Sequence, residues 1–215
     1  MTNRPKETKK AARQRRPAFD REQGVEVAQA LFHARGYDAV GIAELTQAMG
    51  IVPPSLYAAY GSKLALFERT LHSYAATYAL PLEQVLTVPG SPSEVLTNLF
   101  VTAARHYTRD PERRGCMVTE AMRADDPQAA AIASSVAAKG SDAIRAYIAE
   151  HASPGDADRI TDYVLVTLRG LSSYACLGHP QEKLVECAKV AGLALDAEFA
   201  STQPASGASL GNEPA

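Results

Sequence analysis

The groups in this chain best able to do chemistry are scattered. Cys116, Cys176 and Cys187 form no CxxC pair, and His33, His72, His106, His151 and His179 fall far apart. A transition metal needs three or four such donors at close, fixed spacing, so no metal site is expected, and an odd thiol count argues against a disulfide framework. Nothing resembles a glycine-rich phosphate loop, a nucleophile elbow or HExxH. Neither an enzyme nor a bound cofactor is therefore expected. Cys116 is the exception worth weighing, because Arg113-Arg114-Gly115-Cys116 puts a thiol at an expected helix start beside two guanidinium groups. That setting favours thiolate and a redox or electrophile sensor; the alternative is a small buried apolar side chain.

The spacing that carries function lies between Gly36 and Phe67. Ile42, Leu45 and Met49 recur as one face of a short helix. Gly50 follows where the chain must turn with positive φ. A second short helix carries Leu56 and Tyr60 four residues apart and ends at Gly61, and Ser62 caps a third beginning at Lys63. Two helices too short to bury their own faces, joined by a glycine turn, read as a helix-turn-helix, whose second helix enters the DNA major groove. Leu56 and Tyr60 are assigned to its small core.

The run Gly50-Ile51-Val52-Pro53-Pro54-Ser55-Leu56-Tyr57-Ala58-Ala59-Tyr60, followed by Ser62-Lys63-Leu64-Ala65-Leu66-Phe67, resembles the signature of TetR-type transcriptional repressors. So does the lead-in Leu31-Phe32 with Gly36-Tyr37. The match covers roughly the first third of the chain; beyond it only length and helical content agree. The resemblance implies an operator-binding homodimer controlled by a small-molecule effector. It implies that Ser55 reaches a base edge or phosphate, that Tyr57 gives its hydroxyl to a phosphate, and that Lys63 meets the backbone. Pro53, Pro54 and Ala59 can offer only apolar contact, for example to a thymine methyl. Ala43, Arg15 and Arg16 join them on the DNA side. Val52 stands where the family usually has a capping hydroxyl, and Gly41 where it often has Thr or Ser, so a phosphate contact is lost there.

Charge is divided along the chain. The net charge is −2, yet residues 1–68 hold ten Lys/Arg against seven Asp/Glu, and the remainder is acidic. Arg4, Lys6, Lys9, Lys10, Arg13, Arg15 and Arg16 face Glu7 alone, the footprint of an arm that tracks phosphates or enters a minor groove. An architectural DNA protein without sequence preference is the competing DNA-binding class, and the acidic body argues against it. No apolar run approaches the length of a membrane span and no signal peptide opens the chain, so a cytoplasmic protein is expected.

The remaining elements read as helices, and the fold class as all-α. Asp20 caps the first, with Val27, Ala28, Leu31 and Phe32 as its inner stripe; Lys63 opens one running towards Leu80. Ser91-Pro92-Ser93-Glu94 is a capping box. Helices are expected from Cys116 to Arg123, from Asp126-Pro127 to about Glu150, from Ile160 to Leu177, and after Pro180 to about Phe199. The expected domains are a basic disordered arm (1–16), a helix-turn-helix domain (17–77, motif about 41–60), a helical effector-binding and dimerisation domain (78–199) and a disordered tail (200–215).

The last two helices supply the expected dimer surface, with Val164, Leu168, Leu171, Ser172 and Ala175 on one stripe and Leu184, Cys187, Ala188, Ala191 and Leu195 on the other. The same stripes could instead pack within one subunit. For the effector, Phe100, Tyr107, Met117, Met122, Tyr147 and Tyr174 offer soft or aromatic walls, Glu120, Arg123 and Arg169 polarity, and Cys116 a thiol.

Overall fold

The computed structural model describes residues 19–202. Among them the chain forms ten helices and no strand: α1 (Arg21–Arg35), α2 (Ile42–Met49), α3 (Pro53–Tyr60), α4 (Lys63–Thr77), α5 (Leu82–Leu86), α6 (Pro92–Thr108), α7 (Met117–Ala121), α8 (Pro127–Ala149), α9 (Pro154–Cys176) and α10 (Gln181–Thr202). The expected all-α class is what forms. Arg15, Arg16 and the rest of the arm, like residues 203–215 of the tail, lie outside the described residues.

Caps set most of the boundaries. Asp20 accepts from the N–H groups of Glu22 and Gln23, and Ser62 from that of Ala65, each satisfying donors that a first helical turn leaves open. Ser91 and Glu94 close the expected capping box on α6. The helix expected from Ile160 begins six residues earlier, because Ser153 caps it, Pro154 fills the first position and Asp156 the third, the same arrangement as at Ser91. A Ser-Pro pair opens the helix here, since the N–H that proline lacks would be unsatisfied at the first helical position anyway. Towards Leu80, α4 stops at Thr77, where the Tyr78 carbonyl is taken by His106 Nε2 at 2.6 Å. The short α5 was not anticipated; it tucks Val85 into the body.

Two apolar cores result. The first joins α1–α4 to α7 and the beginning of α8 through Met117, Val118, Ala121, Ala129 and Ala133. The second joins α5, α6, the later part of α8, α9 and α10 around Leu96, Phe100, Ile148, Ile160 and Leu195. The inner face of α1 is Val25, Ala28, Gln29 and Phe32; Val27 and Leu31 are only half-buried, a rotation of the expected stripe by part of a turn. The helix α10 lies most extensively on α6, which also packs on α9. One subunit thus covers the first expected pairing stripe and most of the second, leaving Cys187 exposed and Ala191 half-buried.

Candidate nucleic-acid interface and the junction behind it

In α2, the Thr46 hydroxyl bonds back to the carbonyls of Ile42 and Ala43, and Leu45 is wholly buried. Gly50 adopts φ 66°, and the N–H groups of Gly50 and Ile51 return to Gln47 and Thr46 at 3.2 and 3.0 Å, closing the turn that a residue with a Cβ would strain. The chain then enters α3, whose Leu56 is fully buried. Tyr60 fixes the far end of α3: its hydroxyl donates to the Arg21 carbonyl at 2.8 Å and its ring meets Phe19 edge-on. Gly24 permits this approach, since a β-carbon there would overlap the Tyr60 hydroxyl and the Phe19 ring.

Seated this way, α3 presents Val52, Pro53, Pro54, Tyr57 and Ala58 to solvent, with Val52 59% exposed and Tyr57 48%. Ala43 is exposed on α2. Ser55 is half-buried, and Ala59 packs partly against the core, so its expected contact with a base has little surface to use. Lys63 departs further from expectation. Its ammonium stands 4.0 Å from the centroid of the Tyr37 ring, and burial lowers its pKa against the opposing pull of Asp38 and Asp126. In this arrangement the ammonium faces the junction between the DNA-binding head and the body, where an aromatic face and two carboxylates partly offset its desolvation.

That junction is built around Asp38, which the sequence did not single out. Its carboxylate accepts the N–H groups of Asp125 and Asp126 at 2.8 and 3.2 Å, while the Asp126 side chain caps α8. Beside it, a small cleft open to solvent is lined by Phe32, His33, Tyr37 and Asp38 of the head and by Met117, Glu120 and Arg123 of the α7 region. Glu120 pairs with Arg123 and accepts from the Ser172 hydroxyl at 2.7 Å, and Ser172 in turn accepts from the Cys116 N–H at 2.9 Å. A polar chain therefore runs from α9 to the cleft wall. On its other side His33 lines a second cleft with Tyr74, Tyr78, His106 and Arg109. Burial lowers the pKa of His33, and its Nε2 lies 3.4 Å from the Gly115 carbonyl.

Of the expected effector residues, Met117, Glu120 and Arg123 are brought together in the cleft beside Asp38. Phe100 and Tyr107 are core, and Tyr147 packs half-buried against the second core. Tyr174 stacks on His179 at the surface, and Arg169 is exposed on α9. Cys116 is half-buried at the start of α7, but the arginines expected to activate it turn elsewhere: Arg113 pairs with Asp110, and Arg114 donates to the His179 carbonyl. An α7 of only five residues adds little dipole at that end.

The expected dimer residues are corrected by burial. Val164, Leu168, Leu171, Ala175, Leu184, Ala188 and Leu195 are all buried within one chain, and Ala191 packs partly against the same core. Large side chains that the same two helices leave in water lie on their opposite faces: Val166, Tyr174 and, just past α9, Leu177, with Val190 and Leu193 of α10. Periodicity finds two apolar faces on such helices but does not say which one a neighbouring helix takes.

Comparison with known proteins bears on this head and on the body behind it. Residues 25–70 match the family model described as bacterial regulatory proteins, tetR family. Over 177 residues the chain is 41% identical to the transcriptional repressor BdcR of Escherichia coli (strain K12), spanning 82% of this chain and 89% of that one. The chain belongs to the TetR family. A second repressor of Escherichia coli (strain K12), ComR, is 25% identical to this TetR-family chain across 83% of it and 90% of ComR. Among solved structures, a cysteine mutant of the TetR-family regulator CifR, complexed with 26-bp double-strand operator DNA, superposes with a TM-score of 0.72 at 31% identity, covering 84% of this chain and 99% of that one. The likeness to BdcR and CifR extends well past residue 70, so it includes the α7 region and the junction as well as the head. No helix among the described residues is long and apolar enough to cross a membrane.

Proposed function

We propose that this TetR-family protein is a homodimeric, cytoplasmic repressor that holds a palindromic operator through α3 and leaves it when a small molecule enters the cleft beneath α7. The observation that carries the DNA-binding half is the clamped α3 with an exposed outer rim, together with the likeness to CifR, itself complexed with operator DNA. Pro53, Pro54, Ser55, Tyr57 and Ala43, with Arg15 and Arg16 of the arm, belong to the contacting set. Pairing uses the outer faces of α9 and α10, which leave Val166, Tyr174, Leu177, Val190 and Leu193 in water. Large apolar side chains left in water on two helices packed against each other suit such a pairing surface. Two heads related by a twofold axis then meet successive major grooves about 34–36 Å apart.

Release follows from the cleft's position. Its walls come from the head and from the α7 region, so a ligand that fits only when these two shift apart changes the spacing of the two heads. A coupling of ~1–3 kcal/mol lowers operator affinity by ~5–150-fold. The test is a gel-shift titration with selected and random duplexes at several salt concentrations. A repressor prefers the selected duplex by orders of magnitude, whereas an architectural protein binds both alike.

A further inference from the structure

Resting on the operator binding proposed above, we infer that this protein reads its half-site chiefly through the 5-methyl groups of thymine, with Val52, Pro53 and Pro54 as the reading surface. A helix entering a groove ordinarily brings two kinds of hydrogen-bond donor: long polar side chains, and the open N–H groups of its first turn. This helix has been stripped of both. From residue 52 to residue 60 there is no Arg, Lys, Asn, Gln, Asp, Glu or His. At the first two helical positions stand prolines, which have no N–H. The next N–H, that of Ser55, is already bonded to the Val52 carbonyl at 2.9 Å, and that of Leu56 shares the same acceptor at 3.3 Å. Val52 makes no side-chain cap. The tip therefore has almost nothing to donate to guanine O6 and N7, to adenine N7 or to a phosphate.

What it does present is a rigid apolar surface. The Val52 side chain is 59% exposed, Pro53 and Pro54 are exposed beside it, and Ala58 is exposed on the next turn. Proline rings and a β-branched valine lose little freedom on contact. Along the major groove of ordinary DNA the apolar feature that distinguishes one base pair from another is the thymine C5 methyl. The two groups on α3 that could add polar readout are Tyr57, through its phenol, and the half-buried Ser55 hydroxyl. A lysine that could anchor the neighbouring helix start is drawn onto Tyr37 instead. Specificity of this kind favours sites with several thymines clustered at the positions α3 enters, and it discriminates through methyl burial rather than through donor–acceptor matching.

The test uses the full-length protein and a duplex recovered by selection from a random pool. Each thymine of the half-site is replaced in turn by deoxyuridine, which removes the methyl and leaves every hydrogen-bonding edge intact. Two or three positions should each lose about fourfold in affinity, the loss expected for one buried methyl. Replacing guanines by 7-deazaguanine, which removes the N7 acceptor, should cost less than twofold at any position α3 enters. Val52→Ala should narrow the thymine-to-uracil ratio at one position towards unity. Equal binding of thymine and uracil duplexes, or a 7-deazaguanine loss larger than the methyl loss, would overturn the inference while leaving operator binding intact. Failure of the pool to yield any preferred duplex would instead remove the underlying operator reading, and this inference with it.

Discussion

Asp38 and Asp126 join the head to the start of α8: the Asp38 carboxylate accepts the Asp126 N–H at 3.2 Å, and the Asp126 side chain caps α8. Two acids tolerate each other here because each is turned to backbone donors at a helix start, where the partial positive charge of the dipole favours carboxylates. Asp38 also holds the Asp125 N–H at 2.8 Å, so one side chain of the DNA-binding head grips the start of a helix belonging to the body. The contact is exposed and its contribution to stability is about 1 kcal/mol. Asp38→Ala should lower the melting temperature by ~2–4 °C, read by circular dichroism at constant helicity. If the latch also fixes the tilt of the head, the same variant binds selected operator more weakly and responds less to any ligand of the cleft. Unchanged melting and operator affinity would show that the grip is incidental.

Lys63 offers a contrast between two electrostatic roles. A lysine bound to phosphate contributes about one unit to the slope of log affinity against log salt. Held over Tyr37 near Asp38 and Asp126, it contributes to the geometry of the junction instead. Lys63→Ala should therefore weaken operator binding with the salt slope nearly unchanged. Deletion of residues 2–16, which removes seven Lys/Arg and one Glu, should flatten that slope by several units. A full-unit change of slope for Lys63→Ala would return it to the phosphate backbone.

Acid should loosen the same region. Burial holds His33 below its ordinary 6.5, with Arg113 adding to the effect, and the Gly115 carbonyl opposing it. Burial and Arg109 do the same to His106, against the Tyr78 carbonyl. The folded protein therefore keeps these imidazoles neutral where the unfolded chain takes up protons. The contribution of these two histidines is constant well above pH 6.5, falls as the pH drops through 6.5 towards the lowered native values, and levels off below them. Urea midpoints at about pH 7.5 and about pH 5.5 should differ, and His33→Gln should shrink the difference. An identical pH dependence in that variant would exclude His33 as a source.

The two faces of α10 make opposite predictions. Val190 and Leu193 are each 67% exposed, whereas Leu195 is fully buried. Leu193→Asp or Val190→Asp should give a folded, helical monomer with much weaker operator binding, because a charge placed at a twofold contact also meets its own copy. Leu195→Asp should instead unfold the body, a cost of several kcal/mol for an unpaired buried carboxylate. Sedimentation together with circular dichroism separates the cases. A dimeric Leu193→Asp and Val190→Asp protein would rule out the outer face.

The sequence by itself determined what is local. The limits of α2 and α3, the left-handed turn at Gly50, the caps at Asp20, Ser62, Ser91 and Asp126 and the burial of Leu56 and Tyr60 follow from side-chain type at fixed short spacing, where backbone geometry leaves few alternatives. Tertiary structure decided which of two apolar faces on α9 and α10 is covered, because the competitor for each face, α6, lies more than forty residues away in sequence. It likewise drew Lys63 onto Tyr37, diverted Arg113 and Arg114 from Cys116, and placed Asp38 at the start of α8. Long charged side chains take whichever partner the fold brings within reach, and that choice depends on residues that no local pattern contains.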